Sequence, residues 1–589
     1  MTFFRLPRPT TADQPDGRRR RPWLAAARIT PVLLAGALAF AGCTATTAAT
    51  SDRSGTTDST VSVASTAAVD PGVTAAEAMA ENEAPPGEDG DDTWDAASEV
   101  AISLDGDTAT VADGATGVRI DGDTVTITAA GTYRLSGELA GQVVVDTTAT
   151  ELVRVILDGA DISSDTTAAL AVTSAERVQL VLADGSDNAL SDASGYADDA
   201  DVNAALFSAA DLEIAGEGAL TVQGNGNDGI ASKDGLIISG GEITVDAVDD
   251  GIRGKDEVMI AGGTVTVTAG GDGLKADNAE EADRGYLAIS GGTVTIDAAG
   301  DGLDAATDVI VWGGSLDVTA GGGAGSSVAD GDSAKGLKGT VSIIVDGGEV
   351  AVDAAEDAVH SDSTVHLANG ALELASGDDA VHADAALTIS GGTVGVSESY
   401  EGLEAAAVSI AGGSTSVVAS DDGVNAGSTL DLTGGELTAD ADGDGLDVNG
   451  AITMSGGTVV VNGPTAQNNG AIDSDAGFDI SGGTIVAAGS SGMAMAPGAD
   501  AAQASVLVTL DQQVGAGTAL ELTAPDGTVV ATITTTKSAA TLAVSTPELV
   551  NGETYIVTAD GTAVGSAVAG EQVSGGMGGP GGGAMPPRP

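Results

Sequence analysis

SGGEITVDAVDDGIRGKDEVMIAGGTVTVTAGGDGLKA, residues 239–276, contains one unit twice. Gly240-Gly241 returns as Gly262-Gly263, Ile243/Val245 as Val265/Val267, and Asp250 as Asp272, each 22 residues on. The unit recurs from about residue 217 to residue 483. Apolar residues alternate with polar ones after each turn, and before it as Leu236/Ile238 and Val258/Ile260. A third apolar column (Ile230, Ile252, Leu274, Leu303) follows the acid. Alternation with a period of two means strands with one buried face. Three short strands in 22 residues predict one rung of a parallel β-helix, each rung burying its core on its neighbours. A leucine-rich repeat would need a longer helical half, and a propeller blade about twice the length. About twelve rungs are expected, with insertions near 277–283, 321–334 and 463–469 leaving one side of the rod.

The acids of the repeat are Asp228, Asp250, Asp272, Asp301, Asp357, Asp379, Glu401, Asp422 and Asp444. Stacked rungs place such side chains about 4.8 Å apart, where two full charges repel by roughly 3–4 kcal/mol at an effective dielectric of ~20. Protonation relieves this by raising some pKa values; a divalent cation relieves it better. Asp249, Asp304, Asp378, Asp421 and Asp447 add neighbouring carboxylates. Oxygen-only donors beside glycine-freed carbonyls suit Ca²⁺, which takes six to eight oxygens, whereas three His and a single Cys argue against Zn²⁺. His360 and His382 stand one 22-residue step apart and read as rim histidines beside carboxylates.

Lys335 occupies the acid column between Asp301 and Asp357 and is expected to divide it into two metal-binding stretches. Lys233, Arg253, Lys255, Lys275 and Lys338 lie along one edge of the repeat. Such an edge reads either as a strip that accepts anions or as ion pairs that quiet the acids.

The 589 residues carry a formal net charge of −66, with only 2% aromatic residues, which excludes nucleic acid and anionic lipid surfaces as partners. Residues 1–42 read as an export signal: Arg18 to Arg21 and Arg28, then an apolar stretch from Ile29 to Ala41 that is too short to span a membrane. "FAGC" at Phe40 to Cys43 resembles the bacterial lipobox, so Cys43 is the expected lipidation site and the lipid the only membrane attachment. Residues 43–93 read as a disordered tether, 94–216 as irregular N-terminal cap rungs and 217–500 as the regular helix. A C-terminal β cap over 501–570 and a Gly/Met/Pro tail over 571–589 complete the expected organisation. A monomer on the outer face of a bacterial cell membrane follows from this reading.

The run from Asn203 to Ala305, NAALFSAADLEIAGEGALTV through GDGLDA, resembles the bacterial carbohydrate-binding-domain family of exported clostridial and actinobacterial proteins. The resemblance extends from about Trp94 to the C-terminal cap. It implies a right-handed parallel β-helix, Ca²⁺ held by Asp side chains on adjacent rungs, and binding of acidic polysaccharide such as polygalacturonate. Asp249-Asp250, Asp301/Asp304 and Asp444/Asp447 also look like the calcium motif of one class of pectate lyases. Lys335, Ala358, Ala380 and Gly470 depart from the pattern. The expected function is therefore calcium-dependent, non-catalytic binding of acidic polysaccharide at the cell surface. A pectate-type lyase and a calcium-stiffened structural rod are the alternatives.

Overall fold

The computed structural model describes residues 72–85, 93–197, 200–329 and 331–571. The expected signal segment, Cys43 and most of the expected tether and tail lie outside the described residues. The chain is all-β, a solenoid of about 16 turns.

Each regular rung has three strands. In one rung the acid strand is Ile252–Gly254, the strand before the turn Glu257–Ile260 and the strand after it Thr264–Ala269. Each pairs in parallel with its counterpart one rung on, so that Ile252 faces Leu274, Val258 faces Leu287 and Val265 faces Val294. Three sheets result, here called the acid, second and third sheets. Their inward residues form one continuous core in which Ile252, Val258, Val265 and Leu303 are at most 1% exposed. The Gly-Gly turn works because its second glycine has positive φ, +84° at Gly263. A Cβ there would also lie 2.7 Å from the Gly241 carbonyl of the rung below.

The coil starts earlier than the repeat does. Gly131–Ala140 pairs in parallel with Val153–Ser163, and that strand with Arg177–Leu182. Residues 94–216 thus carry solenoid turns with longer strands, which accounts for about 16 turns where twelve were expected. Antiparallel hairpins, Val100–Gly106 with Ala109–Val111 and Val118–Asp121 with Thr124–Ile127, close this end. At the other end Ala539–Ser545 pairs antiparallel with the last rung strand, Thr484–Gly489, so that strand is not left as an open edge. A four-stranded antiparallel sheet follows, and its Leu520, Leu522, Tyr555 and Val557 share a second core with Val486 and Ala488 of that last rung strand.

Two expectations need correcting. The first is that residues 43–93 form a tether throughout: part of that segment, 72–85, is an ordered strap. It contains a helix, Ala75–Glu81, started by a capping box between Thr74 and Glu77. Ala75 and Ala78 are buried against Ile310 and Ile344 on the outer face of the second sheet. The second is that the insertions leave one side. The 277–285 insertion leaves between the acid and second strands, while 321–334 and 463–469 leave between the third and acid strands. An insertion is accommodated at either bend because neither interrupts a strand ladder.

Candidate functional site: a carboxylate ladder with three kinds of counter-charge

The acid of each motif sits at the bend that enters the acid sheet, where the chain turns and the strand ladder begins. One carboxylate oxygen has a structural task there. Oδ1 of Asp250 accepts the backbone N–H of Asp272 at 3.0 Å, that of Asp272 accepts Asp301 at 2.8 Å, and that of Asp301 accepts Lys335 at 2.8 Å. The pattern resumes with Asp357 and Asp379 at 3.1 Å, Asp422 and Asp444 at 2.5 Å, and Asp444 and Gly470. Six of the acids thus cap the amide of the next rung. Asp228 and Asp301 are almost fully buried, at 0% and 1% exposure.

The second oxygen needs a positive partner, and on several rungs a residue of the column three positions on, from the same or the next rung, supplies it. Those residues stack in register as Arg253, Lys275, Asp304, Lys338, His360, His382, Glu404, Asn425, Asp447 and Asp473. Arg253 lies 3.9 Å from Asp228 and 3.8 Å from Asp250, and also pairs with Asp277. Lys275 lies 2.5 Å from Asp272 and 3.5 Å from Asp250. Lys338 reaches Asp301 at 2.8 Å and Asp304 at 3.1 Å. Lys335 takes Asp357 at 2.8 Å, and His360 takes the same oxygen at 2.7 Å. Burial would raise Asp357, but the His360 hydrogen bond and the Lys335 charge override it and hold the carboxyl at about 2.

Lys335, which stands in place of an acid on its own rung, therefore neutralises the acid of the next rung. Arg253, Lys275 and Lys338, expected along an anion-accepting edge, are spent on ladder carboxylates. Their outward column points them back at the acids of their own and adjacent rungs. Lys233 and Lys255 differ: both are exposed, and among the described residues neither forms an ion pair. Lys233 lies over the Phe207 ring, 5.9 Å from its centre.

Histidines come next. The His360 and His382 rings stack at 4.9 Å between centres. Nδ1 of His382 lies 3.0 Å from Asp379 and 2.9 Å from Glu404, and the Asp379 hydrogen bond above all pushes it up to about 10. A protonated His382 is thus a built-in cation at neutral pH.

Past Glu401, which accepts from Asn425 at 2.7 Å, the compensation stops. Among the described residues no cation lies within ion-pair distance of Asp421, Asp422, Asp444, Asp447 or Asp473, and the nearest lysine, Lys537, is held by Asp440 and Asp442. Ligand oxygens of Asp422, Asp444 and Asp447 lie within 4.8 Å of one another. Burial, and then the neighbouring carboxylates, push Asp444 up to about 7 and Asp422 to about 6. Two further groups converge in the same way, Asp357 with Asp378 and Asp379, and Asp379 with His382 and Glu404, but a lysine or histidine already serves them. Asp249 and Asp378 are exposed and flank the column. Of the expected metal residues, Asp422, Asp444 and Asp447, with Asp421 beside them, form the one converging set without a protein cation among the described residues. Their donor set, all carboxylate oxygens, fits Ca²⁺.

Glu404 and Asp473 were not singled out by their motifs, although both stand at the same +3 offset as Asp304 and Asp447. That shared offset was the available signal.

A parallel β-solenoid with a register-locked carboxylate column defines the class of protein. Residues 121–380 match the family model described as carbohydrate-binding domain-containing protein. A curated protein of the same description from Acetivibrio thermocellus is 49% identical over 164 residues, 27% of this chain. The chain spans 57% of that protein's length. A solved structure described as the polysaccharide lyase-like protein from C. thermocellum, a gadolinium derivative, is 34% identical, with a TM-score of 0.35. The match covers 43% of this chain and 94% of that one.

Proposed function

We propose that this chain is a calcium-dependent, non-catalytic binding protein for acidic polysaccharides of the polygalacturonate type. We place it on the outer face of a bacterial cell membrane, tethered through a lipid on Cys43. The observation that carries the reading is the open end of the ladder. Asp422, Asp444 and Asp447 converge with no protein cation, whereas the rungs from Asp228 to Asp379 carry a lysine, arginine or histidine. A cation of the +2 class held there neutralises the acids and retains coordination positions for a uronate carboxylate. The exposed ammonium groups of Lys233 and Lys255 supply charge-assisted contacts to further uronates. The family match to carbohydrate-binding proteins supports the ligand class.

Binding without catalysis rests on the placement of bases. β-Elimination needs a base beside the metal to take the proton alpha to the uronate carboxylate. Arg253, Lys275 and Lys338 are engaged with carboxylates, and Lys233 and Lys255 belong to rungs far along the column from Asp422.

Retention of the full chain on polygalacturonate is the test, measured with Ca²⁺ and with chelator, against a neutral glucan. Expected is retention by polygalacturonate alone, lost with chelator and in Asp447→Asn. Calcium-independent retention, or retention unchanged in Asp447→Asn, would refute the metal role. Sustained appearance of unsaturated product by ultraviolet absorbance would refute the non-catalytic reading.

A further inference from the structure

A second acidic cluster lies on the other side of the rung, between the second sheet and the strap. Asp211, Asp234 and Glu257 come from three successive rungs and, with Glu83 of the strap and Arg284 of the 277–285 insertion, line a cavity of about 210 Å³. Asp256 borders it and is held by Asn278 at 2.7 Å and by Arg284. Arg284 also pairs with Glu83 at 2.5 Å and approaches Asp234 at 3.8 Å. Glu281 lies 3.4 Å from it as well, so four carboxylates share one guanidinium, while Asp211 and Glu257 form no ion pair with it. A second cation, Arg177, stands beside Asp211 in register and lies 3.9 Å from Glu213.

Glu257 distinguishes this cluster from an ordinary acidic surface. It opens the strand Glu257–Ile260, flanked in register by Gly235 below and Tyr286 above. Gly235 has no side chain, which leaves room for the carboxylate. Glu257 is 4% exposed and lines the cavity, yet no hydrogen-bond donor or ion-pair partner meets its side chain among the described residues. A buried charge without a partner costs several kcal/mol. The space exceeds one water's share of about 30 Å³ several times over, enough for a cation with part of its hydration shell.

We propose that this cavity is a calcium site separate from the ladder, in which Asp211, Asp234, Glu257 and Glu83 hold the ion and tie the strap 72–85 to the second sheet. Carboxylate oxygens from three rungs and the strap make a hard, oxygen-only donor set, which selects Ca²⁺ over nitrogen-preferring metals. Because Glu83 belongs to the strap, occupancy couples calcium level to strap docking. The inference does not depend on polysaccharide binding.

Terbium luminescence tests it, since Tyr286 stands next to Glu257 in the stack and transfers excitation to a lanthanide bound there. The full chain, titrated with Tb³⁺ under tyrosine excitation and competed with Ca²⁺, is expected to show sensitised emission that Ca²⁺ displaces. Glu257→Gln should weaken that binding at least tenfold and remove calcium protection of the strap from proteolysis. Asp447→Asn should leave both intact while losing ladder binding, which separates failure here from failure of the ladder site. Asp234→Asn is the second variant should Glu257→Gln fold poorly, and should weaken binding in the same direction. Sensitised emission unchanged in both cavity variants would mean general binding to an acidic surface, and would overturn the proposal. So would the absence of emission from the native chain.

Discussion

Replacing Lys338 by methionine separates a cation that neutralises the ladder from one that binds a ligand. The methionine keeps the apolar stem and removes only the ammonium. Asp301, 1% exposed, keeps its Oδ1 bonds from Ser333 Oγ at 2.7 Å and the Lys335 amide at 2.8 Å. Its Oδ2 loses the 2.8 Å contact to Lys338, and Asp304 loses a partner at 3.1 Å. Removing one member of a fully buried pair costs about 3–5 kcal/mol. The Lys338 side chain is 30% exposed, so solvent screening reduces the expected loss to about 2–3 kcal/mol. Denaturant unfolding gives the global effect. Amide exchange of the rungs around Leu303 and Leu337 gives the local one, since a solenoid opens by neighbouring repeats. Asp301→Asn in the same chain should restore most of the loss, because the amide keeps an oxygen for the Lys335 N–H and carries no charge. Stability unchanged in Lys338→Met, or no recovery in the double variant, would refute a neutralising role. Loss of polysaccharide binding at full stability would restore Lys338 to the ligand edge.

Gly302→Ala should destabilise by about 1–3 kcal/mol in the same unfolding assay, because a Cβ there would lie 2.2 Å from Val318 Cγ1 and 2.6 Å from the Gly336 carbonyl. In chelator, the melting temperature should fall as pH rises from about 4 to 8. Burial and neighbouring acids push Asp228 up to about 7 and Glu257 to about 8, so the folded chain keeps protons that the unfolded chain releases above its ordinary carboxylate range. The loss is at most about 1.4 kcal/mol per pH unit for each buried group. Asp357 acts in the opposite sense: its stabilisation is present above the ordinary carboxylate range and is lost toward pH 2, so the calcium-free optimum should sit near pH 4–5. A melting temperature that climbs from pH 5 to 8 in chelator would contradict the burial of these charges. Saturating Ca²⁺ should flatten the decline in the native chain and less so in Asp444→Asn.

The three-strand rung was legible because alternation, the Gly-Gly turn and the 22-residue step are local and repeat in the sequence. Residues 131–182 were harder to place, since their strands run to 11 residues and the turn spacing drifts. The strap was hidden for another reason. Its helix has only seven residues, and its buried face is two alanines that gain their partners, Ile310 and Ile344, from more than 200 residues away. At the site, the register of the acids was readable but their partners were not. Lys275 and Lys338 look like an edge in the sequence; the backbone of the acid strand turns both toward carboxylates of their own and adjacent rungs. Glu257 gave no signal, because its isolation depends on Gly235 below it and on a cavity closed by the strap and an insertion.

The column three residues after each acid position supplies most of the ladder's counter-charge, to its own rung or the one before; at Asp304 it adds a charge that Lys338 cancels from the next rung. Where it holds Arg253, Lys275 or Lys338 the counter-ion is covalent and permanent. Where it holds His382 the counter-charge depends on a proton. Where it holds Asp447 and Asp473 the column adds charge instead of cancelling it, and an outside cation becomes the only remedy besides protonation. The first arrangement gives stability independent of solution conditions; the last ties a rung to calcium. Exchanging the types tests this directly. Asp447→Lys should lower Asp444 toward the ordinary carboxylate range, raise calcium-free stability and abolish calcium stabilisation of that end. A variant that still gains stability from Ca²⁺ at that end would show that the +3 column does not set the dependence.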